Sequence, residues 1–391
     1  MLKVALGQSK MLSKPISGVL HLIVYIGFII INIELLEIIL DGLLGTHRLF
    51  APYLGSFYNF LIGSFEILAA FVIFSVIFFW TRRNLIKIRR FWSPEMSGWP
   101  KRDADIILYF EIILMSLFLS MNSTDLLLQN LEAPNYLKAG SFPISQFLTP
   151  LFNSFTQDTL IIFERTFWWL HITGILIFLN YLYYSKHLHI LLAFPNTFFA
   201  NLDPKGKFNN NKMVYREVKQ MLEPNSDPYL TNDNNADQSK FGVSDVLDLN
   251  WIQLMNSYSC TECGRCTAEC PANQTGKLLS PRKIMMDTRD RLEEVGRNIS
   301  LNGSFKDDGN ELLDNYITKE EIWACTSCNA CVEACPIGID PLSIIMEMRQ
   351  YLVLEQSSAP SDLNNMMNNI ENNGAPWPFN NQDRLLWADD N

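Results

Sequence analysis

Residues 260–271 read CTECGRCTAECP, and residues 325–336 read CTSCNACVEACP. Both follow C-x2-C-x2-C-x3-C-P, and together they hold all eight cysteines of the 391-residue chain. Three thiolates at these short spacings wrap one face of a cubane cluster. The fourth, just before a proline, turns away and ligates the other cluster. The spacing therefore assigns Cys260, Cys263, Cys266 and Cys335 to one 4Fe-4S cluster, and Cys325, Cys328, Cys331 and Cys270 to a second. Structural zinc sites use cysteine pairs separated by a longer loop, so two complete cassettes favour iron–sulfur chemistry over zinc. No cysteine is left for a disulfide framework, which fits a reducing compartment.

Helices are expected around the cassettes. In SPRKIMMDTRDRLEEVG, Ser280 is placed to cap, Pro281 to occupy the first position and Gly296 to stop the helix. Asp340 and Pro341 begin a second helix in the same way after the second cassette. The cassettes thus form the two halves of one mainly helical, two-cluster ferredoxin domain.

The rest of the chain divides sharply. A spanning helix needs about 20 mostly apolar residues. Four stretches qualify, near 18–40, 57–80, 106–128 and 159–184. The apolar stretch near the N-terminus is followed by no small-residue cleavage site, so it is expected to be a retained anchor. Beyond residue 203 the chain is polar, and it carries most of the net charge of −10, which argues against nucleic acid as a partner. The expected fold class is all-α. Residues 1–202 form a four-helix, transmembrane cytochrome b-like bundle, 203–245 a polar linker, 246–355 the two-cluster domain and 356–391 a partner-docking tail. Seven Lys and Arg lie in the loop after the second span, against Arg48 alone after the first. The positive-inside rule then puts both termini and the clusters on the cytoplasmic side of the inner membrane.

All five histidines, His21, His47, His171, His187 and His189, lie in or beside the spans. A histidine in hydrocarbon is a functional hypothesis by default, and imidazole is a common axial ligand of haem b. Eighteen residues separate His171 from His189, five turns of one helix face and about 27 Å at 1.5 Å per residue. Given the topology, His21 pairs with His189 for an inner haem and His47 with His171 for an outer one, giving one or two haem b. His187 falls off the shared face. Glu34, Glu37 and Asp41 share a face of the first span, and Glu66 and Glu111 are also deep; these carboxylates either carry protons for a quinone or bond to neighbouring helices.

WWLHITGILIFLNYLYYSKHLHILLAFPN and VLHLIVYIGF resemble haem-binding helices of the nitrate reductase gamma subunit and of the heterodisulfide reductase membrane subunit. That resemblance implies haem ligation by His21, His171 and His189. The nitrate reductase helix carries a second histidine where this chain has Ile31, leaving His47 as the substitute. The cassettes resemble those of the C subunit of heterodisulfide reductase and related iron–sulfur oxidoreductases. NNGAPWPFNNQDRLLWA, from Asn372, resembles the linker before the cysteine-rich CCG domain of fused relatives, and the chain ends where that domain would start. The resemblance implies a membrane electron-transfer subunit. It would link a quinone in the lipid bilayer to a separate CCG-domain iron–sulfur oxidoreductase subunit. The alternative is a haem-free membrane-anchored ferredoxin that docks a soluble oxidoreductase.

Overall fold

A computed structural model describes residues 1–204, 206–208, 210–222 and 240–389. It is 69% helical, with no strand among the described residues, as the sequence predicts. Two compact units can be distinguished, and neither is continuous in sequence. One comprises Met1–Ala200, Met255–Glu269 and Glu333–Ile339; the other comprises Asn201–Leu254, Cys270–Val332 and Asp340–Asn391.

The first unit contains the four helices long and apolar enough to cross a membrane: α1 (Pro15–Leu44), α2 (Ser56–Asn84), α3 (Trp99–Asn130) and α4 (Gln157–Leu182). Each runs a few residues beyond its apolar stretch at one or both ends, because helical hydrogen bonding continues into the polar flanks. The core joins Ile62, Phe65, Ala69 and Val72 of α2 to Leu114 and Phe118 of α3 and Ile172 of α4. Gly27 of α1 permits close approach to α2, since a Cβ there would stand 2.8 Å from Val72 Cγ2. Outward-facing side chains such as Phe60, Phe74 and Ile162 are exposed and apolar, a surface that suits lipid and not water.

The fourth span does not run on to His189. It ends at Leu182, a turn follows, and a separate helix α5 (His189–Phe198) begins at the histidine. The cause is a long-range competitor for the backbone. Asp103 of α3 accepts hydrogen bonds from the Tyr181 hydroxyl and from Lys186 N (3.0 Å), and Ser185 Oγ accepts from His187 N (3.1 Å). His171 and His189 therefore do not share one helix face, and the distance expected from a continuous helix does not apply. In the linker, α6 (Lys212–Leu222) is an additional helix, while residues 205, 209 and 223–239 of the expected 203–245 linker lie outside the described residues.

Next come α7 (Trp251–Ser259) and α8 (Pro281–Asn302). Ser280 caps α8 as expected, accepting from Lys283 N. The helix passes Gly296 and stops at Gly303, whose φ of +80° ends it in the left-handed region. A mid-helix glycine costs about 1 kcal/mol relative to alanine, and neighbouring Val295, buried, holds the helix in place. In the second unit, α9 (Lys319–Ala324) opens with a reciprocal Thr318–Glu321 capping box. Asp340 caps α10 (Pro341–Leu354), accepting from Ser343 N at 3.0 Å. These helices bury Ile284, Ile322, Ile344, Met348 and Leu352 completely. Arg291, fully buried in α8, pairs with Asp245 at 2.9 Å and Asp308 at 2.6 Å. Helix α11 (Ser361–Asn373) precedes the aromatic tail.

Candidate metal centres

The cassettes repeat in backbone shape as well as in spelling. Glu262 and Gly264 have positive φ (55° and 71°), as do Ser327 and Asn329 at the matching positions of the second cassette (56° and 62°). A short helix follows each, Arg265–Ala268 and Ala330–Ala334. Alternating handedness turns successive N–H groups toward one centre, the concave arrangement that receives anions and iron–sulfur clusters. The thiols fall into two sets. Cys260 interacts electrostatically with Cys263 and Cys335, and Cys335 with Cys263. Cys325 interacts with Cys270 and Cys328, and Cys331 with Cys325 and Cys270. Cys260, Cys263, Cys266 and Cys335 lie in the first unit, whereas Cys270, Cys325, Cys328 and Cys331 lie in the second.

Burial pushes the thiols of Cys260 and Cys331 up to about 12, and that of Cys335 up to about 11. Thiolates in such surroundings need positive charge close by, which cluster iron would supply, so the donor set fits 4Fe-4S ligation. Among the described residues, no three Cys, His, Asp or Glu side chains are arranged to hold a single ion. In a cubane each thiolate binds a different iron, so its ligands stand apart. Arg349 of α10 was not singled out by sequence reasoning. It donates to the Cys325 and Ile322 carbonyls and to Ser327 Oγ, fastening the second cassette to its helix.

His21 and His189 fall within electrostatic range of each other, and His21 also of Arg265 in the first cassette. His189 Nδ1 donates to the Lys186 carbonyl at 3.0 Å, which leaves Nε2 with its lone pair. His21 Nδ1 is buried without a hydrogen-bond partner. This pair fits axial ligation of a haem. The break after α4 also brings in His187, whose ring centroid lies 5.6 Å from that of His189. Burial depresses both, His187 to about 3, so both imidazoles are uncharged at neutral pH. His171 donates from Nδ1 to the Leu114 carbonyl at 3.0 Å. His47 directs Nε2 at Asp125 Oδ1, 3.1 Å away. No hydrogen bond or ring contact joins His47 to His171 among the described residues.

Polar links tie the first cysteine set to the histidines. Lys186, whose carbonyl holds His189, pairs through its ammonium with Glu262, between Cys260 and Cys263, and donates to the Pro100 carbonyl at 2.6 Å. Asn196 of α5 donates to the Ile337 carbonyl at 2.9 Å, two residues beyond Cys335. Arg265 donates to the Lys10 carbonyl at 3.3 Å. Sequence reasoning passed over Lys186, Glu262 and Asp103; a lysine and two acids among many give no periodic or spacing signal.

Four membrane-length helices joined to two four-cysteine cassettes define a membrane protein with an iron–sulfur electron-transfer role. Residues 259–339 match the family described as a 4Fe-4S dicluster domain. The chain is 28% identical to a probable iron-sulfur-binding oxidoreductase FadF of Bacillus subtilis, over 98% of this chain and 54% of that protein. It is 26% identical to an EtfAB:quinone oxidoreductase of Syntrophomonas wolfei, over 98% of this chain and 52% of that protein. A probable membrane-anchored ferredoxin of Chromohalobacter salexigens is 32% identical over 38% of this chain and 24% of its own length. Heterodisulfide reductase subunits of Methanosarcina species are homologous as well. The chain spans about half the length of the first two relatives. No solved structure matches it.

Proposed function

We propose that the chain is a membrane-integral electron-transfer subunit linking a quinone pool to a soluble oxidoreductase through b-type haem and two 4Fe-4S clusters. The observation that carries this reading is the grouping of His21 and His189 with Cys260, Cys263, Cys266 and Cys335 in one compact unit, tied by the Lys186–Glu262 pair. A bound haem supplies one-electron chemistry between the two-electron quinone and the clusters. His21 and His189 would hold it, and the Lys186 carbonyl orients the His189 ring. Cys260, Cys263, Cys266 and Cys335 would hold one cluster, and Cys270, Cys325, Cys328 and Cys331 the other. His171 keeps a free Nε2 for a second haem, whereas Asp125 engages His47.

The termini and clusters face the cytoplasm in this reading, on the strength of the basic loop between α2 and α3. The soluble partner is a CCG-domain iron–sulfur oxidoreductase subunit, docked by residues 356–391, where Phe379 and Trp387 are exposed at 63% and 75%. A relative named as an EtfAB:quinone oxidoreductase supports the quinone.

A relative named as a membrane-anchored ferredoxin favours a second reading, in which the same module works without haem. A reduced-minus-oxidised optical spectrum of the purified full chain separates the two. A b-type haem spectrum that develops when a quinol is added supports the first. Clusters with no haem leave the anchored ferredoxin as the function.

A further inference from the structure

The carboxylates of the membrane domain are not equivalent, and their hydrogen bonds tell them apart. Glu34, Glu37, Glu66 and Asp125 are all buried around one arginine, Arg48. Glu37 accepts from Phe50 N at 2.9 Å and from the Tyr58 hydroxyl at 2.8 Å. Glu66 accepts from Asn122 Nδ2 and from the backbone of Ile144 and Ser145. Asp125 accepts two bonds from Arg48 and faces His47 Nε2. Each of these three is provided with donors suited to a carboxylate. Glu34 is not. It is 2% exposed, and neither carboxyl oxygen has a hydrogen-bond partner. Its nearest counter-charge is Arg48 Nη1 at 3.6 Å, on a guanidinium already committed to Asp125 and Asn122.

A buried carboxylate in a medium of low polarity is stable as an anion only where donors or a close counter-charge meet it. The proton belongs on the group that no donor stabilises as an anion. Glu34 also lines a small, partly open cleft together with Thr46 and His47 in the turn after α1 and Trp168, Glu164 and Arg165 of α4. His47 Nδ1, likewise buried and unpartnered, lines the same cleft.

We propose that Glu34 is the proton-exchange group of the membrane domain. It holds one proton, exchanges it with water through this cleft past His47, and passes it to or from the quinone. The link to a quinone rests on the function proposed above. In quinol oxidation, Glu34 first releases its resting proton to water through the cleft; a quinol O–H bond then breaks and its proton forms an O–H bond with the Glu34 carboxylate so freed. That bond then breaks as the proton leaves to water, and Glu34 takes the second proton in turn. The two electrons go separately to the one-electron carriers proposed above. Quinone reduction runs the same steps backwards. Arg48, Glu37, Asp125, Asp41, His47, Glu164 and Arg165 line the walls of the cleft, and Glu66 nearby is held by Asn122, Ile144 and Ser145.

The test has two arms on the full-length protein. A pH-step infrared difference spectrum, recorded without quinone, should contain a protonated-carboxyl band that shifts in deuterium oxide. The band should vanish in Glu34→Gln and return, displaced, in Glu34→Asp. A band unchanged in Glu34→Gln, or one insensitive to deuterium, overturns the proposal. The second arm measures quinol oxidation. Glu34→Gln should slow it about 100-fold, the low end for loss of a general acid–base, with haem spectrum and cluster content unchanged. If the infrared arm succeeds and the rate is unaffected, the coupling to quinone is overturned. If the unmodified protein oxidises no quinol at all, the function proposed above fails, while the infrared arm still decides Glu34.

Discussion

The two cassettes share a spacing and a backbone shape but keep different company. Cys260, Cys263 and Cys266 lie in the unit that holds the membrane helices, and a membrane-domain lysine, Lys186, sits against the residue between the first two. Cys325, Cys328 and Cys331 lie in the other unit, fastened by Arg349 of α10. The fourth cysteine of each cassette follows the opposite set, Cys335 with the first and Cys270 with the second. A duplicated ligand motif can thus give two centres with distinct neighbours, one beside histidines and one beside the module's own helices.

Substituting the fourth cysteines challenges this contrast most directly. Cys335→Ser should remove the centre built on Cys260, Cys263 and Cys266, and Cys270→Ser the other, each taking about four of about eight cluster irons. Iron and sulfide analysis with low-temperature spin resonance on both variants reads this. If each variant lost the centre of its own cassette, the crossed arrangement would be abandoned.

His189→Ala tests the company of the first set. The variant should lose the inner haem band completely and keep both clusters, because its imidazole lies outside the cassettes. Since His187 stands beside it, His187→Ala is the necessary companion. A haem lost only in that second variant would transfer the ligand role to His187.

Lys186→Met probes the link itself. Lys186 and Glu262 are 9% and 2% exposed, so Lys186→Met withdraws the ammonium paired with a buried carboxylate. Such a break costs about 3–5 kcal/mol. Denaturant unfolding monitored at the cluster absorption should show it, and Glu262→Gln added to Lys186→Met should recover much of the loss. Equal stability of Lys186→Met and the unmodified chain would mean that the pair does not hold the cassette.

On the second set the expected effects are smaller. Thr318→Ala removes one half of the capping box of α9 and should cost about 1 kcal/mol, with both clusters intact. Deleting residues 370–391 should change neither clusters nor haem and should only release the soluble partner in pull-down. Loss of a cluster on truncation would show that the tail is part of the module.

Much of this organisation was legible in the chain. Apolar runs long enough to span a bilayer announce themselves whatever surrounds them, because every backbone group in lipid must bond within its own helix. The Ser280 and Asp340 caps follow from one residue and its next three neighbours. Gly296 does not stop α8 as its residue type suggests, because the energy of one glycine is small against the burial of its neighbour Val295.

Hydropathy and ligand spacing along short stretches were enough for the four spans, the all-helical class and the two-cluster domain. Tertiary packing was needed to decide that α4 breaks after Leu182, that His187 joins His21 and His189, that Lys186 meets Glu262, and that Glu34 lacks a donor. Each of these turns on a hydrogen-bonding group brought from, or withheld by, a distant part of the chain, as Asp103 is brought to Lys186. In a buried, low-polarity interior such a partner outweighs the local preference of the segment it meets.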